Sequence, residues 1–146
     1  MSVRLYLDTS AVAKLYLEES GSSKFRSFLE NRVTSPVVST LTRLELRCLL
    51  SRRRRAGSID FATEQLAAAK FENLVGTQTV VLFPVEDSHV RSAIDLLATM
   101  PAHPLRTLDA LHLAIARSLQ ADAIATADRT MGKAAAELRF GVEFFA

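Results

Sequence analysis

The sequence predicts an α/β fold in which a central parallel sheet is covered by helices on both faces. Short β-prone segments alternate with helical segments along the chain, as is typical of parallel sheets, and no repeat or low-complexity segment interrupts them. At 146 residues, 49% of them hydrophobic, the chain has the length of one domain and can bury a core without disulfide bonds. We therefore expect residues 1–146 to form a single domain.

The first half begins with a strand, a tight turn and a helix. Residues 3–7 alternate apolar and polar side chains, and residues 11–17 follow a helical pattern, with Thr9 and Ser10 as candidate caps. The patterns then predict a helix over 21–29, a short strand over 37–39 and a long helix over 41–55 that Gly57 ends.

The second half continues the alternation. Ser58 is a candidate cap for an amphipathic helix that carries Phe61, Leu66, Phe71 and Leu74 and ends at Gly76. The remaining predictions are a strand over 79–83, a helix over 87–100, a loop bracketed by Pro101 and Pro104, an apolar helix over 108–119 capped by Thr107, a strand over 123–126, a helix over 131–138 and an edge strand over 142–145.

Cysteine usage and hydropathy bear on the compartment. The single cysteine, Cys48, cannot pair within the chain and falls in an apolar helical pattern, which indicates an ordinary packed thiol in a reducing compartment. The first apolar run is interrupted by Asp8 and is too short for a signal peptide, and no run has membrane-spanning length. We therefore expect a soluble, cytoplasmic protein with no membrane partner.

Two aspartates follow predicted strands. Asp8 comes directly after the first strand, and Asp128 comes just after the strand over 123–126. Ligands of open parallel sheets bind beyond the carboxyl ends of the strands, so both acids are placed for chemistry. Each also has a simpler interpretation, because Asp is favoured in turns and at helix N-termini.

Two further acids stand in apolar surroundings. Glu45 falls among Leu41, Cys48 and Leu49 on its helix, where an ionised carboxylate needs a compensating group, and Arg52 is the structural candidate for that role. Asp109 lies in the first turn of a helix that is otherwise nearly all apolar. The helix dipole stabilises an anion there by about 0.3–1 kcal/mol, which is too little to offset deep burial. A bound cation would supply the difference at both positions.

These four acids lie in separate elements that a parallel α/β fold can bring together. Clustered carboxylates repel one another unless a divalent metal is present, and ligation by oxygen alone favours Mg²⁺ or Mn²⁺ over zinc. His89, His103 and His112 show no spacing typical of zinc sites. The sequence therefore predicts a Mg²⁺ or Mn²⁺ site at Asp8, Glu45, Asp109 and Asp128.

Four consecutive arginines, residues 52–55, end the long helix, although the net charge is only +2. Such a run is compatible with binding RNA phosphates or an acidic partner, but it also complements the negative end of the helix dipole as a solvated face. The sequence leaves these interpretations open.

Four segments together resemble PIN-domain proteins of the bacterial VapC toxin type. They are LYLDTSAVAKLYLEESGS, TRLELRCLLSRRRRAG, LRTLDALHLAIA and ADAIATADRTM, and the resemblance spans nearly the whole chain. It implies a three-layer αβα fold, Mg²⁺- or Mn²⁺-dependent endoribonuclease activity, a homodimer and inhibition by a cognate VapB-like antitoxin.

The resemblance also assigns residues. Asp8, Glu45, Asp109 and Asp128 match the four acids of the family in order, as catalytic and metal-binding residues, and the family position of Asp128 is the most variable. Thr9, Ser10 and Thr126 resemble the hydroxyl residues that support these acids. We expect an endoribonuclease toxin that cuts RNA with metal-activated water.

Two alternatives remain open at this point. The first is a non-catalytic PIN-like interaction module that keeps the acids for structure. The second is an aspartate-based phosphotransferase using Asp8, which is disfavoured because Ser10 stands where that class usually has a second acid.

Overall fold

The computed structural model describes residues 3–31 and 35–146 and confirms the predicted α/β class. In chain order the elements are β1 (Leu5–Leu7), α1 (Thr9–Tyr16), α2 (Ser22–Glu30), β2 (Val37–Ser39), α3 (Thr40–Arg55), α4 (Phe61–Gly76), β3 (Val81–Phe83), α5 (Asp87–Thr99), α6 (Thr107–Ser118), β4 (Ala123–Thr126), α7 (Arg129–Glu137) and β5 (Gly141–Phe144). In these two ranges no helix has both the length and the apolar character needed to cross a membrane.

The five strands form one sheet in the order β3-β2-β1-β4-β5, and every pairing is parallel. Leu7 of β1 pairs with Ala125 of β4, so these two central strands end side by side. The chain builds outwards from β1 to β2 and β3 on one side, and later to β4 and β5 on the other. The reversal between β1 and β4 opens a crevice at their carboxyl ends, which is where such sheets bind ligands.

Helices cover both faces of the sheet, as predicted. Leu5 and Leu7 of β1 point to one face, whereas Tyr6 points to the other, because side chains alternate along a strand. The first core is formed with residues of α1, α2, α3 and α4, and the second with residues of α5, α6 and α7. The three layers leave the carboxyl ends of the central strands open between α1, α3 and α6.

The N-terminal caps of α1, α4 and α6 differ from the predicted ones. The cap of α1 is Asp8 rather than Thr9 or Ser10, and the cap of α4 is Asp60 rather than Ser58. Thr107 is the first residue of α6, and the preceding Arg106 is in the cap position. In α1 and α4 the aspartate one residue before the helix accepts a hydrogen bond from a first-turn backbone N–H, which displaces the weaker hydroxyl caps.

The prediction of a packed Cys48 is wrong, because its side chain is exposed. Leu46 faces the core, and a residue two positions later lies roughly 200° further round the helix. Phe61 and Leu66 are likewise 60% and 56% exposed. The buried face of α4 uses small side chains and Phe71 instead, and Phe61 lies under the guanidinium of Arg54, 5.5 Å from its ring centre.

Candidate active site

Asp8 is held at the end of β1 by hydrogen bonds to its carboxylate. Oδ1 accepts from the hydroxyl of Ser10 at 2.6 Å and from the backbone N–H of Ala11 at 2.9 Å, and Oδ2 accepts from the hydroxyl of Thr126 at 2.5 Å. Only 4% of the residue is exposed. Burial raises the pKa of Asp8 above its ordinary value, against the opposing effects of nearby His112 and these hydrogen bonds. The group is therefore costly to keep ionised without a further cation.

Glu45 projects from α3 towards α1 and α6. Its Oε1 accepts from the hydroxyl of Thr9 at 2.9 Å and contacts Nε2 of His112 at 2.5 Å. Burial raises the pKa of Glu45, but the hydrogen bond and charge of His112, with Thr9 and Arg106, outweigh burial and leave the pKa below its ordinary value. Arg52, the structural candidate for compensating this acid, forms no ion pair with it among the described residues, and His112 takes that place.

Asp109 and Asp128 are joined through Arg106. Oδ2 of Asp109 accepts from the backbone N–H of Arg106 at 3.2 Å and lies 3.5 Å from Nε of the same residue. Oδ2 of Asp128 lies 3.7 Å from the guanidinium of Arg106, while its Oδ1 accepts from the backbone N–H of Thr130 at 2.8 Å and caps α7. Both acids therefore have structural roles as well as facing the same side chain.

The four predicted acids line one cleft of about 330 Å³. The other side chains of its wall include Arg52, Arg106, His112 and the exposed Leu44 and Leu108. A larger cavity of about 490 Å³ beside α1, α2 and α4 is mostly apolar and contains none of the four acids. We take the smaller cleft as the candidate site, because it lies at the crevice between β1 and β4 and holds the acids that sequence reasoning singled out.

The donor chemistry of the cleft fits a hard divalent cation, since four carboxylates line it and Mg²⁺ and Mn²⁺ prefer oxygen ligands. Within residues 3–31 and 35–146, however, no group of three or more Asp, Glu, His or Cys side chains is already arranged to hold an ion. The reason is visible in the contacts: each acid accepts from a neighbouring protein group, and Arg106 lies between two of them. Metal binding at Asp109 and Asp128 would require Arg106 to move away from them.

The four arginines at the end of α3 have different surroundings. Arg53 pairs with Glu19 and Arg54 with Glu64, and Arg55 donates to the hydroxyl of Ser51. Arg52 lines the acidic cleft and forms no ion pair with the described residues. Arg53 and Arg54 therefore have structural roles, whereas Arg52 lies at the cleft.

Sequence reasoning missed His112 and Arg106. Nδ1 of His112 lies 2.7 Å from the hydroxyl of Tyr6, and its ring is buried. One signal could have found the histidine, because it follows Asp109 by three positions and so lies on the same side of α6. Arg106 carried no comparable signal, since its role depends on the distance between two acids that are far apart in sequence.

A family model of the PIN domain matches residues 5–137, a range that includes all four acids. The chain belongs to the PIN-domain family. The match confirms the resemblance that the four sequence segments indicated. No curated protein sequence matches this PIN domain.

Solved structures share the fold of this PIN domain at low sequence identity. VapC20 of Mycobacterium tuberculosis, described as a toxin that cleaves the sarcin–ricin loop, has a TM-score of 0.73 at 18% identity, over 89% of this chain and 94% of that one. VapBC2 of Rickettsia felis bound to promoter DNA has a TM-score of 0.67 at 11% identity, over 99% and 100%. A toxin–antitoxin complex from Klebsiella pneumoniae has a TM-score of 0.56 at 16% identity, over 86% of each chain.

Proposed function

We propose that this PIN domain is a metal-dependent endoribonuclease that acts as the toxin of a toxin–antitoxin pair. The proposal rests on one observation. Four carboxylates from separate elements of the chain line one cleft, at the strand ends where parallel sheets bind ligands. Helix capping accounts for the positions of Asp8 and Asp128, but it does not account for Glu45, which reaches the same cleft from within α3.

In this proposal Asp8, Glu45, Asp109 and Asp128 hold one or two Mg²⁺ or Mn²⁺ ions. The metal, when bound, lowers the pKa of a water molecule and stabilises charge on the scissile phosphate. The protein's part is to supply carboxylates whose orientation is fixed beforehand. Ser10 and Thr126 fix that of Asp8, and Thr9 and His112 fix that of Glu45.

The wall of the cleft also suits a strand of RNA. Arg52 offers an exposed cation to a backbone phosphate beside the acids. Leu44 and Leu108 are 63% and 42% exposed at the same cleft and can contact an unstacked base. We propose an RNA substrate on this chemistry and on the likeness to VapC20, which is described as cleaving an RNA loop.

We further propose a VapB-like antitoxin as partner and a homodimer as the assembled form. The support for the antitoxin is the shared fold with the toxin–antitoxin complex of Klebsiella pneumoniae and with VapBC2. The homodimer rests on the family resemblance. An open reading frame for a small protein directly upstream of this one is the expected genetic arrangement.

The test compares RNA cleavage in Mn²⁺ by the wild type and by Asp8→Asn. Asparagine can still cap α1 and accept from Ser10, so the variant removes the charge while keeping the fold. Asp122→Asn is the matched control, because Asp122 is exposed and lies just before β4, at the amino end of the strand and away from the cleft. We expect cleavage by the wild type and by the control, and none by Asp8→Asn.

Equal cleavage by the wild type and Asp8→Asn would overturn the proposed site. No cleavage by the folded wild type in Mn²⁺ would instead favour the non-catalytic interaction module. That alternative draws on one observation, namely that the acids already have protein partners and form no ready-made ligand shell.

A further inference from the structure

A chain of hydrogen bonds runs through the protein behind the acidic cleft. The hydroxyl of Tyr6 lies 3.1 Å from the hydroxyl of Ser39 and 2.7 Å from Nδ1 of His112, and Nε2 of His112 lies 2.5 Å from Oε1 of Glu45. The hydroxyl of Thr9 donates to the same oxygen at 2.9 Å. The chain thus joins β1, β2, α1 and α6 to a single carboxylate on α3.

The hydrogen-bonding requirements fix how His112 is used. A carboxylate only accepts, so Nε2 must carry the proton that it donates to Glu45. The other ring nitrogen can accept from the hydroxyl of Tyr6 or donate to it, since that hydroxyl can reverse its bond with Ser39. The direction of the bond to Glu45 is therefore the same whether the ring is neutral or charged.

The two bonds to Glu45 fall on one oxygen. Thr9 and His112 both contact Oε1, and among residues 3–31 and 35–146 no hydrogen bond or ion pair reaches Oε2. The side chain of His112 is 4% exposed, whereas that of Glu45 is 22% exposed and lines the cleft. One oxygen is thus held by the protein, and the other is left for a ligand in the cleft.

We propose that His112 is a positioning residue that holds Oε1 of Glu45 so that Oε2 faces the metal site. The inference rests on the proposed function, because it concerns the same Mn²⁺- or Mg²⁺-binding cleft. His112 itself does not contact the ion. Its effect passes through the carboxylate, as is common for groups that orient metal ligands and whose loss costs about 10- to 100-fold in metal affinity.

Two substitutions separate this role from simple packing. His112→Asn keeps a polar group near the position of Nδ1, in reach of Tyr6, but has no donor at the position of Nε2. His112→Gln places its amide nitrogen near the position of Nε2 and can still donate to Glu45. If His112 only fills the core, the two variants should bind metal alike. If it orients Glu45, only the glutamine variant should keep the wild-type affinity.

The chain offers a matched control in His89→Asn. His89 is also buried, at 4% exposure, but it lies on α5 and accepts from the backbone N–H of Glu86 through Nδ1, away from the cleft. Asparagine can take over that bond. The control therefore makes the same chemical change in a second buried histidine that does not line the cleft.

The experiment is a calorimetric titration of the full chain with Mn²⁺, without RNA, with circular dichroism to show that each variant is folded. We expect Mn²⁺ affinity to fall about tenfold or more in His112→Asn and to stay within about threefold of wild type in His112→Gln and His89→Asn. Should His112→Asn fail to fold, Tyr6→Phe removes only the hydroxyl that fixes the ring and should weaken binding by about tenfold, the lower end for the loss of a group that orients a metal ligand.

The outcomes separate the two proposals. Wild-type affinity in His112→Asn, or equal losses in the asparagine and glutamine variants, would overturn the positioning role while leaving the metal site intact. If His112→Asn is unfolded, unchanged affinity in Tyr6→Phe would overturn the role. A wild type that binds no Mn²⁺ would overturn the metal site and this inference together.

Discussion

Arg106 lies between Asp109 and Asp128, 3.5 Å from a carboxylate oxygen of the first and 3.7 Å from one of the second. Its side chain is 81% exposed, so the contact is one that water screens and that a stronger cation can replace. The guanidinium therefore supplies part of the positive charge that Asp109 and Asp128 attract, and it competes with a metal ion for these two carboxylates.

Removing this competitor should tighten metal binding. We expect Arg106→Ala to raise Mn²⁺ affinity by about two- to fivefold, in keeping with the 0–1 kcal/mol that an exposed ion pair contributes. Calorimetric titration checks the change, with Arg91→Ala as the control, because that exposed arginine lies on α5 outside the cleft. Unchanged or weaker binding by Arg106→Ala would contradict the competition.

Asp8 should make the metal-free protein less stable as the pH rises. Its pKa in the fold is raised above the ordinary value of 3.8, chiefly by burial, so the folded state holds this proton more tightly than the unfolded state does. Its contribution to stability is therefore complete below 3.8 and is lost as the pH rises through the raised pKa.

Thermal unfolding in EDTA, measured from below pH 3.8 to neutral pH, checks this loss of stability. Asp8→Asn cannot ionise, so it should melt higher than wild type at neutral pH and show a flatter dependence on pH. The exposed Asp122→Asn should follow the wild type. An Asp8→Asn protein that melts lower at neutral pH would show that the carboxylate stabilises the fold without a cation.

Arg52 should contribute to RNA binding, whereas Arg55 from the same run should not. Arg52 lines the cleft, and Arg55 instead donates to Ser51 on its own helix. We expect Arg52→Ala to lower RNA affinity by about three- to tenfold and to reduce the slope of log affinity against log salt by about 0.7. Binding in EDTA, where cleavage is prevented, measures both. Equal slopes for the two variants would rule out this role for Arg52.

Arg54 should matter for stability instead. Its Nε lies 2.7 Å from Oε1 of Glu64, whose side chain is only 8% exposed. Arg54→Ala leaves that carboxylate buried without its cation, so we expect a loss of about 1–2 kcal/mol in the free energy of unfolding. Urea denaturation measures the loss, and Arg55→Ala should change the value by less than about 0.5 kcal/mol. A similar loss in both would point to a general effect of charge on the helix end.

The sequence was sufficient to predict the fold class and the general position of the acids. Asp8 and Asp128 follow strands, and the carboxyl ends of parallel strands lie at one edge of the sheet, so local patterns place both residues at that edge. Their closeness depends on the pairing of β1 with β4, which the sequence did not predict. Glu45 and Asp109 were identified because an acid is out of place among apolar residues. All four line one cleft in the structure.

The contacts of the acids could not be predicted in the same way. His112, Arg106 and Tyr6 reach the cleft from elements that are distant in sequence, and each distance depends on how the helices pack on the sheet. The prediction of a packed Cys48 failed for a related reason, since apolar neighbours along a helix do not fix which side of the helix faces the core. The compensating group that Glu45 needs is therefore supplied in part by His112, whose contact with Glu45 depends on the packing of α6 against α3.

RNA cleavage by purified protein stripped of metal tests most directly whether the four acids hold the metal ion that enables cleavage. We expect no cleavage in EDTA, recovery on addition of excess Mn²⁺, and no recovery for Glu45→Gln under the same conditions. Cleavage that persists in EDTA, or that Glu45→Gln recovers as fully as the wild type, would contradict this role of the acids.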